Sequence, residues 1–219
     1  LPWGCNGFDH HFSPTIHSGR SGVMARYLAI EGGDGSGKST VAAAVEKRLV
    51  DAGHSTLIVR EPGSTRLGEA IRQILLDGDD MHPWAEAFLF AAQRAQLASE
   101  VIAPALAEGV WVISDRTYYS SISYQGGGRG LGMEIVRQVN EAGLDGVVPD
   151  HVFVLDIDVD IALERQERPD RIGGEGASFH EAVRDAYHRL ATADPERVVI
   201  IDNTLELDAV VDQIMERLT

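Results

Sequence analysis

A parallel β-sheet covered on both faces by helices is the fold class this sequence predicts, and three observations predict it. Apolar runs of five to seven residues alternate along the chain with helical patterns, as in βαβ units. Those runs are rich in Val and Ile and do not alternate apolar with polar, which marks strands buried on both faces. The first run passes through a glycine-rich turn directly into a helix.

The elements follow in order. "RYLAIE" (26–31) reads as the first strand, and a helix runs from Lys38 to about Ala52. Within it Val41, Val45 and Leu49 recur every four residues, giving one buried face, and Gly53 fits the position after the helix end. "STLIVR" (55–60) is a second strand, followed by a helix over Leu67–Leu76. Pro83 opens a long helical stretch to Glu108, ended by Gly109, with Pro104 expected to interrupt or kink it. "VWVIS" (110–114) is the third strand, and "QGGGRGLG" reads as a loop before a helix over Met133–Ala142. "HVFVLDI" (151–157) and "RVVIID" (197–202) complete five strands, with helices expected at Ile161–Arg168, Phe179–Ala193 and Leu207–Leu218. Right-handed crossovers would bring the loops after these strands to one edge of the sheet, where such folds bind ligands.

Charge and cysteine content narrow the partners. The chain carries 34 acidic and 19 basic residues, a net charge of −15, so a nucleic-acid polymer would be repelled. No apolar run approaches the roughly 18 residues of a membrane span. Cys5 is the only cysteine, so no intramolecular disulfide forms, which fits a reducing cytoplasm. Residues 1–23 have scattered Gly, Pro and His without periodicity or a secretory apolar core, and read as a disordered extension. Residues 24–219 read as a single domain.

The turn after the first strand, Gly32-Gly33-Asp34-Gly35-Ser36-Gly37-Lys38-Ser39, fits G-x-x-x-x-G-K-[ST] between a strand and a helix. Glycines let successive backbone N–H groups turn toward phosphate oxygens, and the helix N-terminus adds partial positive charge. Lys38 is expected across the β- and γ-phosphates and Ser39 on Mg²⁺, with Thr40 completing the loop. This predicts a P-loop nucleoside-triphosphate fold but leaves motor, switch, transporter and kinase open.

The acceptor side carries the discrimination. Phe90 and Arg94 lie four apart on a helix and share a face, so an aromatic ring can stack on a base while a guanidinium donates to its edge. Spacing alone equally describes a core Phe and a surface Arg on one helix face. Asp115 and Arg116 end the third strand beside the phosphate loop. The acid can reach Mg²⁺ or its waters, and the arginine can clamp an acceptor phosphate.

With these positions in view the sequence strongly resembles thymidylate kinases, P-loop enzymes that phosphorylate dTMP. EG-x-DG-x-GKST, REPG-x-T, F-x-x-x-R, DR-x-x-x-S-x-x-[FY]Q and GGGRG occur in order, and the resemblance runs from about Arg26 to the C-terminus. It implies a nucleoside monophosphate kinase-like fold with a lid at 165–177, ATP and Mg²⁺ as cofactors, dTMP as acceptor, and a homodimer, for which the apolar helix around Phe88–Leu97 could supply the interface. It puts Phe90 and Arg94 on the base, where Arg94 would favour thymine, whose O4 accepts, over cytosine, whose amino group donates. It puts Asp34 near the acceptor's 3′-hydroxyl and Ser120, Tyr124 and Gln125 in the thymidine pocket, where Tyr124 would crowd a ribose 2′ position. Arg60 and Pro62 would shape the acceptor-phosphate side. Among Arg165, Arg168 and Arg171 it places ATP contacts. Because Gly35 and Ser36 are uncharged, the catalytic arginine is expected from the lid, as in bacterial-type members, with Arg168 the first choice. Ser64 departs from the commoner glycine. The rival readings are another nucleoside monophosphate or deoxynucleoside kinase, and a P-loop binding switch that would have no use for Phe90 and Arg94.

Overall fold

The computed structural model describes residues 25–166 and 169–218. The extension read at residues 1–23 and Arg168 of the lid lie outside them.

Five strands form one all-parallel sheet: β1 (Tyr27–Gly32), β2 (Thr56–Arg60), β3 (Trp111–Asp115), β4 (His151–Asp156) and β5 (Val198–Asp202), in the order β2-β3-β1-β4-β5. The helices are α1 (Lys38–Asp51), α2 (Arg66–Asp77), α3 (Pro83–Leu97), α4 (Ala103–Ala107), α5 (Tyr118–Ser121), α6 (Met133–Leu144), α7 (Val159–Glu164), α8 (Ala177–Ala193) and α9 (Leu207–Glu216). The two-residue period of β1 divides the core. Leu28 and Ile30 pack with α1 and α9, while Ala29 joins the opposite layer of α2, α3, α5, α6 and α8. Both faces of the sheet are thus covered, and the near-continuous apolar strands follow from that.

Register aligns the site. Ile30 and Arg60 both pair with Asp115, and Gly32 pairs with Leu155. The carboxyl ends of β2 and β3 therefore stop level, β1 runs two residues further, and the residues that follow each strand meet over one edge.

The long α-helix is interrupted next to Pro104, as expected: α3 ends at Leu97, residues Ala98–Ile102 widen into a π-helical turn, and α4 resumes at Ala103. Two expectations are corrected. The helix expected at Ile161–Arg168 starts earlier, at Val159, because Asp158 caps it by accepting from Asp160 N at 3.0 Å, and it ends at Glu164. The glycine-rich stretch after β3 is helical through Gly128, as α5 and a π-helical segment Ile122–Gly128. Its glycines serve close packing: a Cβ at Gly127 would lie 2.7 Å from Ala186, and one at Gly128 2.5 Å from Phe179.

Candidate functional site

The phosphate loop is shaped by Gly32, Gly35 and Gly37, at φ +135°, +81° and +79°. Gly37 caps α1, whose first residue is Lys38. The loop is wedged from behind. A Cβ at Gly35 would lie 2.0 Å from the Ala162 carbonyl oxygen of α7. Asn203 donates to the Ser36 carbonyl at 2.8 Å. Lys38 Nζ donates to the Gly33 carbonyl at 2.7 Å. Burial first, then repulsion from Arg116, lowers the Lys38 pKa to about 8 against the pull of Asp34 and Asp115. Ser39 donates to Asp115 at the end of β3, so a hydroxyl and a carboxylate sit side by side at the mouth of the loop. Gly33 and Thr40 complete the loop, Thr40 on the exposed side of α1.

Arg116 is held from every side. Its backbone is left-handed at φ +72°, a strain of about 1–2 kcal/mol for a residue with a Cβ. The Arg116 N–H donates to Ile30 O at 3.0 Å, and its carbonyl accepts from Ser114 at 2.6 Å. Its guanidinium donates to Gly32 O, Ser120, Asp34 and the Tyr124 hydroxyl, and lies 5.0 Å from the Tyr124 ring centre. Tyr124 in turn donates to Asp34 at 3.0 Å. Burial alone would raise the Asp34 pKa, but Arg116, Lys38 and Tyr124 outweigh it and hold the carboxyl below its ordinary range. Beneath this group lies Glu31, fully buried. It accepts from Thr117 N and Thr117 Oγ1 at 2.7 Å each, Ser120 at 2.6 Å and Tyr187 at 2.7 Å. Glu31 thereby ties β1, the turn after β3 and α8 together.

The Phe90–Arg94 pair closes the other end of a cleft of about 270 Å³, whose lining also includes Lys38, Asp115, Arg116, Tyr124 and Gln125. Arg94 is 3% exposed. Its Nε ion-pairs with Glu61, its Nη1 donates to Ser121 (3.1 Å) and Asn140, and its Nη2 donates to Thr117 O at 3.1 Å. These bonds account for four of the five N–H groups of a guanidinium. One on Nη2 remains. Glu61 is buried too. Burial pushes its pKa up and Arg94 pulls it back, with the balance raised, and its Oε1 has no hydrogen-bond partner among the described residues.

Arg60 stands at the rim, half-exposed, with its Nη2 on Glu69 at 3.1 and 3.2 Å. The Pro62 carbonyl accepts from Arg72 at 2.9 Å. Ser64 is left-handed at φ +62°. It is held there by its N–H on Glu69 and by its hydroxyl, which accepts from Arg60 N.

The lid arginines separate. Arg165 is exposed at the end of α7. Arg171, expected on ATP, is held at α2 and α3: its Nη1 pairs with Glu86 at 2.8 Å and its Nε donates to Leu75 O at 3.0 Å. The cause is Glu86, a buried carboxylate on α3 that needs cationic partners and takes Arg129 as well. Residues 172–175 of the lid are docked here through an ion pair of Glu175 with Arg129 and burial of Ile172.

Sequence reasoning missed Glu31, Glu61, Glu86, Ser121 and Asn140. Glu86 had a signal, since Glu86, Phe90 and Arg94 are spaced by four on one helix and share a face. Glu31 and Glu61 stand inside motifs already singled out, but their partners come from distant elements.

Known proteins share this arrangement of sequence and fold. A family model described as thymidylate kinase matches residues 30–214. A thymidylate kinase of Caldanaerobacter subterraneus is 43% identical over 191 residues, covering 86% of this chain and 92% of that protein. One from Halothermothrix orenii is 46% identical over 183 residues, covering 80% of this chain and 87% of its own. Among solved structures, a crystal structure of thymidylate kinase from Ehrlichia chaffeensis matches with a TM-score of 0.74 at 28% identity, covering 89% of this chain and 99% of that one.

Proposed function

The chain belongs to the thymidylate kinase family and phosphorylates dTMP to dTDP with ATP, and from that premise we propose how its residues divide the work. ATP lies on the phosphate loop, Gly32 to Thr40, with Lys38 on the β- and γ-phosphates. Ser39 and Asp115 would hold Mg²⁺, a hydroxyl and a carboxylate being the donor set this ion takes beside phosphates and water. Bound there, the ion would neutralise charge on the transferring phosphoryl group.

dTMP fills the cleft from the other end. Phe90 stacks on thymine, and the remaining Nη2–H of Arg94 donates to O4. Tyr124 and Asp34 face the sugar. Arg116 takes the acceptor phosphate, with Arg60 and Pro62 at its rim and Ser120 fixing Arg116. The acceptor phosphate is largely ionised near neutral pH and is its own nucleophile, so these residues bind, orient and neutralise rather than abstract a proton. Of the lid arginines, Arg168 is our choice for the charge on the transferring phosphate, since Arg171 is bound to Glu86 and Gly35 has no room for a side chain.

The observation that carries this reading is the single cleft lined by Lys38, Arg116, Phe90 and Arg94 together. ADP release measured against dTMP, dUMP, dCMP, UMP and CMP tests it. The expected result is a preference for dTMP, and no turnover of dTMP overturns the reading.

We assign residues 24–219 to one kinase domain that works in the cytoplasm as a homodimer. No helix among the described residues is long and apolar enough to cross a membrane. Support for the dimer comes from Phe88, 55% exposed and stacked on Trp84 at 5.6 Å, beside exposed Leu67 and Ile74 of α2.

A further inference from the structure

Reading thymine takes an acceptor at N3–H as well as a donor at O4, and the structure decides which end of one amide can supply it. Gln125 lines the cleft, and its Nε2 donates to Glu86 Oε1 at 2.9 Å. Glu86, 1% exposed, also receives Arg129 through Nε and Nη2 at 3.2 Å each and Arg171 at 2.8 Å. Burial opposes ionisation of Glu86, but the hydrogen bonds from Arg129, Gln125 and Arg171 overcome it and hold its pKa below the ordinary range. An ionised carboxylate only accepts. The NH₂ of Gln125 must therefore face Glu86, and its carbonyl oxygen is the end left for the cleft. Among the described residues no hydrogen bond reaches that oxygen.

We propose that Glu86 is a positioning residue for acceptor specificity: it orients the Gln125 amide so that its oxygen meets the Watson–Crick edge of the base. That oxygen accepts N3–H of thymine, whereas N3 of cytosine presents a lone pair and leaves both groups unpaired. Arg94 and Gln125 then supply donor and acceptor side by side, and Glu86 acts only through the amide. The inference rests on the reading that the acceptor base lies between Phe90 and Arg94.

The test is Glu86→Gln, with kcat/KM measured for dTMP and dCMP in wild type and variant. A neutral amide at position 86 offers Gln125 a donor or an acceptor, so the Gln125 amide is free to turn. The expected result is that the preference for dTMP falls roughly tenfold, the size of one base-edge contact. Glu86→Asp, which stays acceptor-only, is expected to keep the ratio even if both rates drop. A purely structural role would lower both acceptors alike, and an unchanged ratio in Glu86→Gln overturns the proposal. If Glu86→Gln does not fold, Gln125→Met leaves the carboxylate and its arginines in place, and an unchanged ratio there overturns the proposal equally. A wild type without preference for dTMP over dCMP would defeat the base-reading site itself, and this inference with it.

Discussion

Arg94→Ala is expected to weaken the fold before it alters specificity. The substitution removes the cation from Glu61, whose side chain is 1% exposed and whose Oε1 has no partner among the described residues. A carboxylate left in that position takes up a proton rather than stay charged. Its pKa, already raised by burial with Arg94 in place, rises further once that cation is gone. Breaking a buried ion pair typically costs about 3–5 kcal/mol, with about 4 kcal/mol at the middle. In a domain of this size each kcal/mol moves Tm by about 2–4 °C, so a fall of about 8–16 °C is expected. The sign of the pH dependence follows from the proton. In the variant the folded chain keeps a proton on Glu61 that the unfolded chain has released. Stability therefore falls as pH rises from about 5 to about 7.5, by up to about 1.4 kcal/mol per unit. Thermal melts at both ends of that range, for Arg94→Ala, Glu61→Gln and the double variant, measure it. The double variant should recover part of the loss, most at the higher pH. A loss that is independent of pH, and additive between the two sites, would refute the reasoning.

Three further outcomes are expected. Phosphate binding should restore the proton that burial and Arg116 remove from Lys38, so ATP binding near pH 8 should take up about half a proton, read by calorimetry in buffers of different ionisation heat; Lys38→Met should abolish the uptake and turnover together. Gly35→Ala should lower ATP affinity more than tenfold, because its Cβ meets the Ala162 carbonyl and its backbone is left-handed, while dTMP titrations stay within about twofold. Tyr124→Phe should cost about 1 kcal/mol in kcat/KM for dTMP, about fivefold, by freeing Asp34 and Arg116 of one hydroxyl, and an unchanged value would remove Tyr124 from the positioning of that pair.

The parts legible in the sequence were those set by local pattern. Val-rich strands, the glycine turn and the four-residue spacing of Phe90 and Arg94 each follow from periods that a short window shows. The turn after β3 was read as a loop because three glycines in a row signal flexibility. Here their missing side chains admit Ala186 and Phe179, contacts that no window contains. The resemblance groups Arg171 with Arg165 and Arg168 on ATP. Its direction is set by Glu86, 85 positions away in sequence and buried without enough local positive charge. Glu31 and Glu61 escaped notice for a related reason: an acid beside a phosphate-binding motif looks like surface charge until the packing that encloses it is known.

Three of the four arginines that line the cleft are already joined to a carboxylate, Arg60 to Glu69, Arg94 to Glu61 and Arg116 to Asp34, and the fourth, Arg72, donates to the Pro62 carbonyl. A cell offers such an enzyme many anions, from free phosphate to nucleic acids, and a bare cluster of guanidiniums would collect them indiscriminately. With most of its guanidiniums answered in advance, the cleft exerts less pull at a distance. An incoming anion must compete with an existing partner at close range, and it gains by doing so only when its shape and its base edge also fit. Selectivity among anions is therefore built into the resting hydrogen bonds of the cleft as much as into the contacts that a substrate adds.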